Sequence, residues 1–168
     1  IVLGESLNDG KKLYSELFTS TPPFASLLFG WMEFVFGRSL TARHILSLLI
    51  IFFQGAFFAF FLINNKAQNE NTYLPALIFG ILCLFSFDML SLSGELLAST
   101  FLLFALNNLF KEIEFRIQQD RTLLNLGIYL GVASLFVFSY SVFLPGTLII
   151  LMIFTRATIR KILLLVFG

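Results

Sequence analysis

Charge is what this sequence has least of. Lys and Arg number 11 and Asp and Glu 10 in 168 residues, 12% of the chain, where an ordinary soluble domain carries about a quarter. A chain of this size buries only about two-thirds of its unfolded surface. So few charged side chains cannot cover the rest when 23 residues are Phe, and a water-soluble globule is excluded. The net charge is +1, and no basic block is longer than Arg160-Lys161, which sets nucleic acid aside. The one cysteine, Cys83, lies in an apolar run and can form no internal disulfide, so it reads as packing. The one histidine, His44, stands beside Arg43 with no second His and no acid-His spacing, so no metal site is expected. Residues 1–20 lack the basic and then apolar pattern of a signal peptide. One Trp and four Tyr against 23 Phe is lopsided for a membrane protein, whose Trp and Tyr usually line both interfaces. Either the aromatic belt is weak or much of the Phe packs between helices.

What is abundant is apolar surface: 58% of the residues are hydrophobic and the mean hydropathy is +0.91. Residues 1–21 are the most polar long stretch, and Leu13, Tyr14, Leu17 and Phe18 fit one helical face, as in a short amphipathic helix on a membrane surface. Thr21 is the expected cap of a second helix, Pro23 to Phe36, opened by Pro22-Pro23 and ended by Gly37. It is too short to cross about 30 Å of hydrocarbon and carries Glu33, so it reads as interfacial or re-entrant.

The expected spans are Ile45 to Ile63, interrupted only by Ser47 and Gln54; Leu74 to Leu92, ending near Asp88; and Leu96 to Phe110, capped by Ser93 with Glu95 in its first turn. Leu123 to Thr155 holds no charge and is too long for one crossing. It divides best into two spans, with the break at Ser139-Tyr140-Ser141 or at Pro145-Gly146, and a single long kinked helix is the weaker option. Gly127 and Gly131, followed by Ala133 and Ser134, form a face on which helix backbones can approach closely. The fold class is therefore an all-α integral membrane protein, one polytopic domain over 1–168. Residues 1–44 form a loop with a pair of interfacial helices, and 45–168 form about five transmembrane helices. The chain opens on Ile1 and closes within the apolar run Ile162 to Phe167, too short to cross, so a fragment incomplete at both ends is expected.

Alternating the spans places Lys66, Lys111, Arg116, Arg121, Arg156, Arg160 and Lys161 on one side and Lys11, Lys12, Arg38 and Arg43 on the other. The positive-inside rule puts the first set in the cytoplasm. The outer face then receives Glu5, Asp9, Glu16, Glu33, Asp88 and Glu95. Asp88 and Glu95 flank a short turn at the interface, where a carboxylate costs little. Glu33 reads as a partner of Arg38 or of a headgroup. Glu5, Asp9, Lys11 and Lys12 share a surface loop: there a carboxylate could deprotonate an acceptor hydroxyl while cations hold a lipid phosphate, and a solvated linker would carry the same residues.

The order LNDGKKLYSEL, TPPFASLLFGWMEFVFGRSLTARHILSLL, a span, YLPALIFGILCLFSFDMLSLSGELLASTFLLFAL, a charged turn and LNLGIYLGVASLF resembles the N-terminal half of GT-C-fold membrane glycosyltransferases. In particular it is similar to a group of multi-spanning membrane proteins of Bacteroidota. The shared features are an acidic periplasmic loop, a Pro-Pro that opens an interfacial helix, a Phe-Gly before a span, an Arg at its start and a Gly-x-x-x-Gly-x-Ala. The resemblance implies a multi-pass protein of the bacterial inner membrane that moves a sugar from a polyprenyl-phosphate carrier on the periplasmic side. It implies Asp9 as general base, with Glu5 second; Lys11, Lys12 and Arg43 as contacts to the lipid phosphate; and Asp88 and Glu95 on the same face. The lipid-linked sugar is the one donor implied, no other cofactor being expected, and the bilayer is the implied partner. Asn8 precedes Asp9 where many members carry two adjacent acids. A second reading is a non-catalytic accessory subunit of a larger membrane complex. A transporter would want polar or unwound positions near mid-membrane, for which only Gln54 and Pro145-Gly146 qualify.

Overall fold

The computed structural model of the chain describes residues 6–7, 9, 21–37, 39–65, 73–85, 92–114, 120–155 and 158–168. Among these every regular element is helical: α1 (Pro23–Phe36), α2 (Leu40–Asn64), α3 (Leu74–Phe85), α4 (Gly94–Glu114), α5 (Asp120–Phe136), a 3-10 segment (Phe138–Val142), α6 (Phe143–Thr155) and α7 (Ile159–Phe167). Three stretches, Leu40–Asn64, Gly94–Ile113 and Phe138–Thr155, are long and apolar enough to cross a membrane.

Local chemistry explains where the helices start and stop. α1 has the expected bounds, but Pro22, not Thr21, occupies its cap position, and Pro23 stands at the first helical residue where a missing amide costs nothing. Gly37 ends it in the left-handed region, φ 59°, which only glycine adopts without strain. The Ser39 hydroxyl accepts from the Ala42 amide to open α2, and the Ser93 hydroxyl accepts from the Leu96 amide at 3.2 Å to open α4, as expected. The uncharged stretch after α5 breaks at Val137, which is extended, and continues through Ser139-Tyr140-Ser141 as the 3-10 segment. Pro145-Gly146 lies inside the first turn of α6, where proline is tolerated, so the other candidate break is not one. Leu74–Phe85 covers the described part of the second expected span; Asp88 lies outside the described residues.

Three apolar clusters tie the helices together. Met32 of α1, Ile51 of α2, Cys83 of α3 and Leu96 of α4 meet with Leu92 in the first, so Cys83 is buried packing as expected. Ala25, Ala98, Ala133 and Phe136 close α1, α4 and α5 together. The third joins Leu109, Leu123, Leu126, Leu130, Leu151 and Leu165 of α4 to α7. The Gly127–Gly131 face meets α7: a Cβ on Gly127 would collide with the Leu165 carbonyl oxygen.

Much of the Phe packs between helices. Phe57 and Phe104 meet edge to face at 4.9 Å, Phe61 and Phe110 at 5.1 Å, and Phe101 stacks on Phe136 at 5.8 Å, separations at which aromatic pairs add to simple burial. Other Phe side chains, such as Phe52 and Phe138, are exposed. Trp31 and Tyr73 are exposed too, as anchors at a headgroup boundary would be.

Candidate functional site

The helix ends at which α4 begins and α5 finishes enclose a cavity of about 540 Å³. Gly94 permits this closure, because a Cβ there would sit 3.1 Å from the Ala25 Cβ and 3.3 Å from the Phe136 carbonyl oxygen. α1 supplies Ala25 and Phe29 to the wall, α4 supplies Glu95, and the Val137–Ser139 break supplies the far side. The Phe136 ring is fixed edge to face on Phe24 at 5.6 Å. Glu95 is exposed, sits in the first turn of α4, where the helix dipole favours a negative charge, and lies within electrostatic range of Tyr140. Among the described residues no Lys or Arg lines this cavity.

A second cavity, about 660 Å³, is almost wholly apolar and runs between α3, α4, α5 and α6, from Ser99 and Phe143 to Leu109. Ser99 follows Glu95 by one helical turn, so the carboxylate and the start of the apolar cleft share one side of α4.

Comparison with protein-family models, with curated proteins and with solved structures finds no match to this chain. The functional reading therefore rests on residues and geometry.

Of the expected site residues, Glu95 alone lines the cavity among those described. Asp9 is exposed, and Leu7 packs over Gly30 of α1, where a Cβ would sit 3.6 Å away. Glu5, Lys11, Lys12 and Asp88 lie outside the described residues. The Arg43 guanidinium donates to the Glu33 carboxylate, with the two side chains only 11% and 6% exposed. Glu33 thus pairs one helix on, across the Gly37 turn, with Arg43, while Arg38 lies outside the described residues. The two carry opposite charge in a poorly solvated place, and each compensates the other.

Gln54 is buried between helices. Its Nε2 donates to the Leu96 carbonyl at 2.8 Å and lies 3.0 Å from Ser99 Oγ and 2.7 Å from Thr100 Oγ1. It joins α2 to α4, as polar side chains do between helices in lipid. The cavity-lining Phe136–Ser139 segment was not expected as part of a site; its only sequence signal was the polar Ser139-Tyr140-Ser141 interruption. Among the described residues no group of three His, Cys, Asp or Glu could hold a metal ion.

Proposed function

We propose that the chain is part of a multi-pass protein of the bacterial inner membrane with about five crossings, a GT-C-like glycosyltransferase acting on a polyprenyl-phosphate sugar at the periplasmic face. The observation that carries this reading is the pairing of a mixed-polarity cavity rimmed by Glu95 with a long apolar cleft one turn further along α4. A sugar has room in the first and an isoprenoid tail in the second. Asp9 takes the proton of the acceptor hydroxyl, and the freed oxygen attacks the anomeric carbon. The bond from that carbon to the phosphate oxygen breaks, and polyprenyl phosphate leaves with the electron pair. Glu95 accepts a hydrogen bond from a sugar or acceptor hydroxyl at the cavity rim.

Membrane vesicles containing the full-length protein, supplied with a polyprenyl-phosphate-linked radiolabelled sugar, test this. Asp9→Asn lowers transfer by about 10²-fold or more, the usual contribution of a general base. Full activity in that variant refutes the assignment.

One observation favours the accessory-subunit reading. Arg43 is held by Glu33, and the described cavity rim carries no cation to meet a phosphate. On that reading the protein co-purifies with other membrane subunits, and substitutions at Asp9 and Asp88 leave the complex intact.

A further inference from the structure

At the opposite end of the helices, where α2 and α4 finish and α5 begins, lies a third cavity of about 300 Å³. One wall is aromatic: Phe57 against Phe104 at 4.9 Å and Phe104 against Tyr129 at 5.6 Å. The other is polar, made by the carboxamides of Asn107, Asn108 and Asn125 and the ammonium of Lys111. Lys111 is exposed in the last turn of α4.

The charges around it matter. Glu112, the next residue, is fully buried and accepts from Lys161 Nζ at 2.7 Å, and Asp120 pairs with Arg160. Those two acids are compensated elsewhere, and Lys111 is the one cation among the described residues that line the cavity. Asn108 Nδ2 donates to the Phe104 carbonyl at 3.2 Å. The side chains of Asn107, Asn125 and Tyr129 make no hydrogen bond among the described residues, which leaves half-buried donors facing a space with one cation. Donors and a cation around a small space with an apolar wall suit a phosphodiester whose chains continue into hydrocarbon.

We propose that this cavity holds the phosphate of an anionic lipid headgroup, with the acyl chains against Phe57 and Phe104. Arg121, Arg160 and Lys161 lie at this same end, and the site is separate from the Glu95 cavity. Its test does not depend on sugar transfer.

The full chain in mild detergent is mixed with equal amounts of phosphatidylglycerol and phosphatidylcholine of identical acyl chains, and retained lipid is counted by native mass spectrometry. Phosphatidylglycerol is expected in excess. Lys111→Gln reduces that excess about fivefold, the effect of one basic side chain near an anionic headgroup, and Asn125→Leu, which keeps the charge, reduces it as well. Arg121→Gln, an equal charge change at the same end but outside the cavity, leaves the excess unchanged. Equal retention of the two lipids, an excess unaltered in Lys111→Gln or Asn125→Leu, or an equal loss in Arg121→Gln overturns the proposal. A parallel sample with millimolar inorganic phosphate separates the two sources of the same chemistry. Retention of phosphatidylglycerol supports a lipid headgroup, and its displacement without loss of the Lys111 dependence assigns the cavity to soluble phosphate.

Discussion

Gly127 and Gly131 look equivalent in sequence, yet the structure gives them opposite responses to the same substitution. A Cβ on Gly127 would collide with the Leu165 carbonyl oxygen and come within 3.0 Å of two backbone atoms of Gly168. These are backbone atoms of α7 and its C-cap, which cannot swing aside as a side chain does. A Cβ on Gly131 would have its nearest neighbour, the Gly168 carbonyl oxygen, at 3.9 Å, ordinary van der Waals contact. Ala is the better helix former by about 0.8–1.0 kcal/mol at either position, so that gain cancels when the two variants are compared. What remains is the overpacking strain at Gly127, about 1–3 kcal/mol, or roughly 5- to 150-fold in the folded-to-unfolded ratio. Gly131→Ala is therefore at least as stable as the parent, and Gly127→Ala falls below Gly131→Ala by that strain. The purified chain in mild detergent, titrated with SDS and followed by circular dichroism, reports the difference as a shift in midpoint. Coincident midpoints for the two variants refute the reasoning, because they would mean that α7 does not approach α5 at Gly127.

Other tests follow from the buried polar groups and the crossings. Lys161→Met leaves the fully buried Glu112 carboxylate without its partner and is expected to cost about 3–5 kcal/mol, whereas joining it to Glu112→Leu recovers most of the loss; equal stability of single and double variants in the SDS titration refutes this. Gln54→Leu removes one bridge between α2 and α4 and costs about 0.6 and at most about 1.7 kcal/mol; a loss well beyond that range means Gln54 does more than join two helices. If α5 crosses the membrane, Arg121→Cys and Ser139→Cys react with an impermeant maleimide from opposite sides of sealed vesicles, while buried Cys83 stays unlabelled. Labelling from one side removes that crossing.

Features governed by neighbouring residues were legible in the sequence, and features made by distant ones were not. The bounds of α1, its Gly37 stop, the Ser93 cap and the break near Ser139 each depend on a few consecutive residues whose backbone preferences are strong. Glu33 reads in the sequence as a partner of Arg38 or of a headgroup. Arg38 lies outside the described residues, and the turn at Gly37 brings Arg43 of α2 to Glu33. Glu112 and Lys161 are 49 positions apart, and nothing local couples them. The Glu95 cavity joins the start of α1, the start of α4 and the end of α5. Only the acid was visible beforehand, because an acid in the first turn of a helix is a local signal.

α5 shows why a helix at the centre of a packed group can fall outside a count of long apolar helices. Its 17 residues span about 25 Å at 1.5 Å each, the short end of what a crossing needs, and it is absent from the three stretches long and apolar enough to cross. Yet it is packed on several sides, with Leu123, Leu126, Gly127, Leu130, Ala133 and Phe136 buried against α1, α4, α6 and α7. Lipid demands apolar side chains only where it touches them, and a helix enclosed by other helices is free to use small and polar residues for close contact. Gly127 against α7 and Ala133 against α1 and α4 are such residues. Phe138–Thr155 is the converse: 11% of it is buried, and Ile149, Met152, Ile153 and Phe154 project outward. Hydropathy along this chain therefore does not rank the helices by burial: Leu40–Asn64, the most apolar of the three long stretches, is also the most buried of them, while α5 is held by α1, α4, α6 and α7.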